Sequence, residues 1–82
     1  MDTITKNKWK DLLARAKAGS AEAQWEVGYY YESGAVDKPG NVLARVNLLK
    51  AQLWYKLSAE QGNTTAQVAL RRRAKITVAF KG

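Results

Sequence analysis

Cysteine and histidine are both missing from this chain of 82 residues, and several chemistries go with them. Neither a disulfide nor a thiolate metal site can brace the fold. No imidazole is present to act as a base or to activate a serine. Long apolar runs are missing too: nothing approaches the roughly 20 residues that cross a bilayer, and the segment Met1 to Lys8 has no apolar stretch of the kind that opens a secretory signal. The expectation is a soluble, cytoplasmic protein with no membrane partner, and a removed signal peptide is the alternative the sequence leaves open. Proline occurs once, and the acids are scarce in one half only. Residues 1 to 37 carry five Lys or Arg against six Asp or Glu, whereas residues 38 to 82 carry nine against the single acid Glu60.

What is present is ample for a folded globule. Hydrophobic residues make up 46% of the chain, and three tryptophans and four tyrosines supply large side chains, a composition that argues against a disordered tail. The net charge of +7 suits an acidic protein surface or nucleic acid, and serves equally as a solubilising surface.

The apolar residues repeat at helical spacing. Trp9, Leu12, Leu13 and Ala16 predict a helix from Thr5 to Ala18, stopped by Gly19. Ser20 caps a second helix from Ala21 to Glu32, with Ala23, Val27, Tyr30 and Tyr31 along one side. Gly28 sits inside that helix at a cost of about 1 kcal/mol relative to alanine, which predicts close approach of a neighbouring helix. Residues 33 to 41 read as a loop, with two glycines, Pro39 and Asp37. Asn41 then caps a long third helix over residues 42 to 61, its stripe formed by Val42, Val46, Leu49, Leu53 and Leu57 beside Leu43, Ala51 and Trp54. Gly62 and Asn63 stop that helix and cap a fourth, with Ala66, Ala69, Leu70 and Ala74 on its inner side. Residues 76 to 80 are β-branched and apolar; they either continue the fourth helix to about Val78 or leave it as an extended tail.

One pattern outranks composition. Residues 16 to 20, AlaLysAlaGlySer, return 43 positions later as AlaGluGlnGlyAsn at 59 to 63, and Ala23-Gln24 returns as Ala66-Gln67. Self-similarity at such a period is the mark of a helical repeat. Together with Gly28, Tyr31 and Gly34, and with the run from Lys50 through Trp54-Tyr55 to Asn63, these residues resemble the Sel1-like repeat, a relative of the tetratricopeptide repeat. The resemblance covers most of the chain: a second-helix half at 4–18, a full repeat at 20–62 and a terminal first-helix half at 63–79.

The resemblance implies an all-α fold of about four helices, a short solenoid of antiparallel pairs. Ala23, Gly28, Ala51 and Ala66 become the small residues where helices meet, Tyr31, Trp54 and Tyr55 the packing aromatics, and Gly62 a turn. Three departures stand out. About ten extra residues precede Asn47, extending the repeat's second helix backwards; Arg71 replaces Gly28 in the second copy, so stacking of the family's kind should loosen past residue 70; and barely one full repeat is present, where solenoids need several. A capped mini-solenoid follows, or a homodimer seamed through Ile76, Val78 and Phe80.

The functional expectation is a protein-binding module and not an enzyme. Glu22 and Glu26 share a helix face without a metal partner and read as solvated surface. No glycine-rich phosphate loop follows Gly40-Asn41 or Gly62-Asn63, and no cofactor is implied. Trp25, Tyr29 and Tyr30 on the second helix, with Arg71, Arg72 and Lys75 on the fourth, are the candidate partner-binding residues. An acidic protein surface would meet the aromatic face and the basic helix together. A nucleic-acid-binding accessory protein using the arginines is the competing reading, and a fragment of a larger repeat scaffold is a third.

Overall fold

The computed structural model describes residues 1–81, with side chains through Arg72. Four helices carry the structure: α1 (Lys6–Lys17), α2 (Ala21–Ser33), α3 (Leu48–Glu60) and α4 (Thr64–Lys81). The all-α class with about four helices holds, and consecutive helices pack on one another. No helix among the described residues is long and apolar enough to cross a membrane.

The sequence echo is also a structural echo. Gly19 and Gly62 both take left-handed backbone, at φ +108° and +93°, which glycine adopts without a Cβ penalty. After each glycine a polar residue caps the next helix: Ser20 Oγ accepts from Ala23 N at 3.2 Å, and Asn63 Oδ1 accepts from Ala66 N at 2.9 Å. The glutamines match as well. Gln24 Nε2 donates to the Ala16 carbonyl at 3.1 Å, and Gln67 Nε2 donates to the Ala59 carbonyl at 3.2 Å. Each glutamine thereby adds a second bond to a carbonyl that already accepts the amide of the turn glycine, Gly19 N on Ala16 and Gly62 N on Ala59.

Two apolar clusters form around these turns. The first joins Trp9, Leu12 and Ala16 of α1 to Ala23 and Val27 of α2; the second joins Ala51 and Tyr55 of α3 to Ala66 and Ala69 of α4. Neighbouring residues Trp54 and Tyr55 divide between them, Trp54 against the first and Tyr55 within the second.

The contact between α2 and α3 depends on Gly28. A Cβ there would lie 2.8 Å from two carbons of the Tyr55 ring and 3.1 Å from the Ala51 carbonyl oxygen, so hydrogen is the only side chain that fits without displacement. Along the same seam the Tyr55 hydroxyl donates to Glu32 Oε1 at 2.6 Å, Ser58 Oγ to the Ala21 carbonyl at 2.6 Å, and Gln61 Nε2 to Gln24 Oε1 at 2.8 Å.

The segment before α3 corrects the sequence reading in two respects. Residues 42 to 47 are not helical: β3 (Val42–Ala44) pairs antiparallel with β2 (Ala35–Val36), which pairs parallel with β1 (Asp2–Thr3). The effective cap is Asn47, whose Oδ1 accepts from Lys50 N at 3.0 Å. Asn41 is occupied in the turn, where its backbone N and its Nδ2 both donate to Asp37. The hairpin places Ala35 and Ala44 in the first cluster, so the extra residues widen the core floor and do not lengthen a helix.

The second correction concerns the stripe. Val42, Val46, Leu49, Leu53 and Leu57 are all exposed, Leu49 at 69% and Leu53 at 55%. The buried side of α3 is Ala51, Tyr55 and Ser58. Leu53 lies about 160° around the helix from Tyr55 at 100° per residue, so only one of the two faces can meet α2. The tight Gly28 crossing admits the face that carries the small Ala51.

The helical backbone of α4 runs to Lys81, so residues 76 to 80 continue the helix. The side chains of Ala74, Ile76, Val78 and Phe80, on which the inner side of α4 and a C-terminal dimer seam were expected, lie outside the described residues.

Gly28→Ala is expected to lower stability by about 1–3 kcal/mol through overpacking, even though alanine alone would favour the helix by about 1 kcal/mol. Urea unfolding checks this. A midpoint at or above wild type would show that the α2–α3 crossing has room to spare.

Candidate interaction surface

Two faces present themselves, and they differ in how much of their surface is already committed. The aromatic face of α2 was the expected one. Trp9 spans Tyr30 and Tyr31, with ring centroids 5.8 Å from each in edge-on geometry, so both tyrosines pack on the first cluster. Burial pushes the Tyr30 phenol above its ordinary value. Trp25 is half-buried and packs against the second cluster, its ring 6.1 Å from that of Tyr29.

Tyr29 is the exposed member, at 40%, but the chain itself engages its hydroxyl. A hydrogen bond to Asp2 raises the Tyr29 phenol and lowers the Asp2 carboxyl, and Ser33 Oγ, 2.9 Å from Asp2 Oδ2, reinforces the second effect. Arg71 and Arg72 are exposed on α4, and Arg71 stands at the position that corresponds to Gly28. Among the described residues, no hydrogen bond or ring contact joins Arg71 or Arg72 to Tyr29, Tyr30 or Tyr31. The Lys75 side chain lies outside the described residues.

Ala23, Gly28, Ala51, Tyr55 and Ala66 are buried, Tyr31 and Trp54 half-buried, and Gly62 forms the turn.

The second face was not foreseen. Helices α1 and α3 both pack on α2, and the space between them is a groove of about 450 Å³. Tyr31 of α2 contributes to its lining, Leu13 and Lys17 come from α1, and Lys50, Leu53, Trp54 and Leu57 from α3. The cation over an aromatic ring among the described residues is here: Lys50 Nζ stands 5.4 Å from the Tyr31 ring centroid. No acidic residue lines the groove.

The exposed leucines continue the apolar surface along α3 from Leu49 to Leu57. One signal for this site was legible in the sequence. Helix α3 is apolar on nearly opposite sides, more than one neighbour can cover, and a helix apolar all round asks for a second partner.

Chemically the groove can bind but offers nothing to react with. It has two ammonium groups, aromatic rings and aliphatic walls, and no paired acid and base. No group of three or more carboxylates among the described residues is placed to hold a metal ion. No protein-family model matches this chain, and neither a curated protein nor a solved structure matches it.

The Asp2 pair gives a pH signature. Its folded value lies below the ordinary 3.8, so its contribution to stability is complete above that value and is lost as pH falls through the folded one. Tyr29→Phe is expected to raise the Asp2 midpoint toward 3.8 in a carboxyl NMR titration, and the stability difference between the two proteins is expected to close in acid. An unchanged midpoint would remove the Tyr29 hydroxyl as its cause.

Proposed function

We propose that this chain is a protein-interaction module, a mini-solenoid of the Sel1-like kind, that receives an acidic surface of another protein in the groove between α1 and α3. One observation carries the reading: large aliphatic side chains line up exposed along α3 beside a concave site whose charged lining residues, Lys17 and Lys50, are both basic. Contiguous apolar surface rimmed by polar groups marks an interaction site. The turns repeated at 43 residues, with equivalent caps and glutamine bonds, support the repeat kinship, and the Gly28 crossing supports its packing.

The proposal moves the binding face away from the one the tyrosines suggested. Tyr30 packs on the first cluster and Trp25 on the second, whereas Leu53 and Leu57 of the groove are exposed and belong to neither. Acidic rather than basic partners follow from the sign of the rim and from the net charge of +7.

Affinity capture from the native cell tests this with the wild type, Leu53→Glu/Leu57→Glu and Tyr29→Ala. Both leucines are exposed, so the double variant should keep wild-type helicity by circular dichroism. The expected result is a partner retained by wild type and Tyr29→Ala and lost from the leucine variant. Capture of the same proteins by all three would refute the groove. Duplex DNA retained above about 0.3 M salt and released by Arg71→Ala/Arg72→Ala would replace the proposal with nucleic-acid binding.

A further inference from the structure

We infer that the occupant of the groove is an amphipathic α-helix of the partner, two to three turns of it in contact, that presents aliphatic residues to Leu13, Leu53 and Leu57 and acidic residues to Lys17 and Lys50. The inference rests on the proposed protein-binding reading and specifies the form of its ligand.

The backbone decides between a helix and an extended strand. Two helices and the side chain of Tyr31 line the groove, and the walls come from α1 and α3, whose interior carbonyls and amides are already bonded along the helix. An extended peptide lying there would press part of its own amides and carbonyls against leucine and tryptophan with no partners, and an unpaired buried polar group opposes binding. A helix brings its backbone bonds with it and offers only side chains. It would lie beside α1 and α3 over Tyr31, as one more helix in the bundle.

Length and charge follow from the same walls. The exposed row from Leu49 to Leu57 rises about 12 Å along the axis at 1.5 Å per residue, which matches two to three turns of an occupant. Lys17 stands on the α1 wall and Lys50 on the α3 wall. A helix between them meets a positive charge on both edges, so acids flank its apolar stripe on both sides. A second copy of this chain would bring its own lysines and a net charge of +7 to the same place, and like charges meeting at an interface oppose association.

Three synthetic peptides of about 15 residues, long enough for some helix in water, make the test. The first carries leucines at helical spacing between glutamates. The second replaces every glutamate with lysine, and the third keeps the first composition but places leucine at alternate positions. Binding to the full chain is read by anisotropy and by amide chemical-shift mapping.

The expected result is that the first peptide binds, shifting amides around Leu13, Lys17, Leu53 and Leu57. The second and third are expected to bind about tenfold more weakly, and Lys17→Glu/Lys50→Glu is expected to weaken the first peptide while strengthening the second. Equal binding of the first and third would overturn the helix and leave the acidic groove standing. Equal binding of the first and second would remove the acidic reading itself. No binding of the first peptide, while Leu53→Glu/Leu57→Glu still loses the captured partner, would overturn the helical occupant alone. A dimer in sedimentation that Leu53→Glu abolishes would assign the groove to a second copy.

Discussion

The rest of the structure depends on a missing methyl group. At Gly28 the backbone of α2 comes close enough to α3 that the Tyr55 ring and the Ala51 carbonyl occupy the space a Cβ would need. Once that contact is made, the rotation of α3 about its axis is fixed. Tyr55 reaches Glu32, Ser58 reaches the first turn of α2, and Gln61 meets Gln24. The same rotation turns Leu49, Leu53 and Leu57 outward. The groove is therefore a by-product of the close approach at Gly28, and the leucines of α3 stay outside because the small Ala51 fits inside.

This also explains which parts of the fold could be read from the amino-acid sequence. Local signals served well. Gly19, Ser20, Gly62 and Asn63 ended and began helices by side-chain chemistry confined to a few residues, and the Gly28 cost pointed correctly to a close neighbour. Arg71, in place of the second copy's glycine, is exposed. The reading failed where a choice depended on distant residues. Asn41 and Asn47 are equally good caps in isolation; the hairpin of residues 35 to 44, held on one side by Asp2–Thr3, selects Asn47. Likewise the period of Leu49, Leu53 and Leu57 located the helix and misassigned its face, because periodicity says which residues share a side and not what lies opposite.

The candidate site was legible only in fragments. Tyr29, Tyr30 and Tyr31 stood out as a run, but the three diverge around the helix, and Trp9 takes two of them. The groove draws one wall from α1, one from α3 and part of its lining from α2, so its members never stand together in the chain. Lys17 and Lys50 are ordinary surface lysines until the fold faces them across a common space.

The division of labour on α3 has a consequence for how such a chain can change over generations. Ala51, Tyr55 and Ser58 hold the helix to its neighbours, while the leucines on the other side touch solvent and contribute little to that hold. Under the proposed binding role, substitutions on the outer side would alter what is recognised without taxing the fold, and a lineage could exchange one ligand for another by drifting through residues its own stability does not police. Trp54 is the exception. It lies in the groove and against the first cluster at once, so under the same proposed role it is the position at which novelty in recognition and the survival of the scaffold would be bound to one side chain.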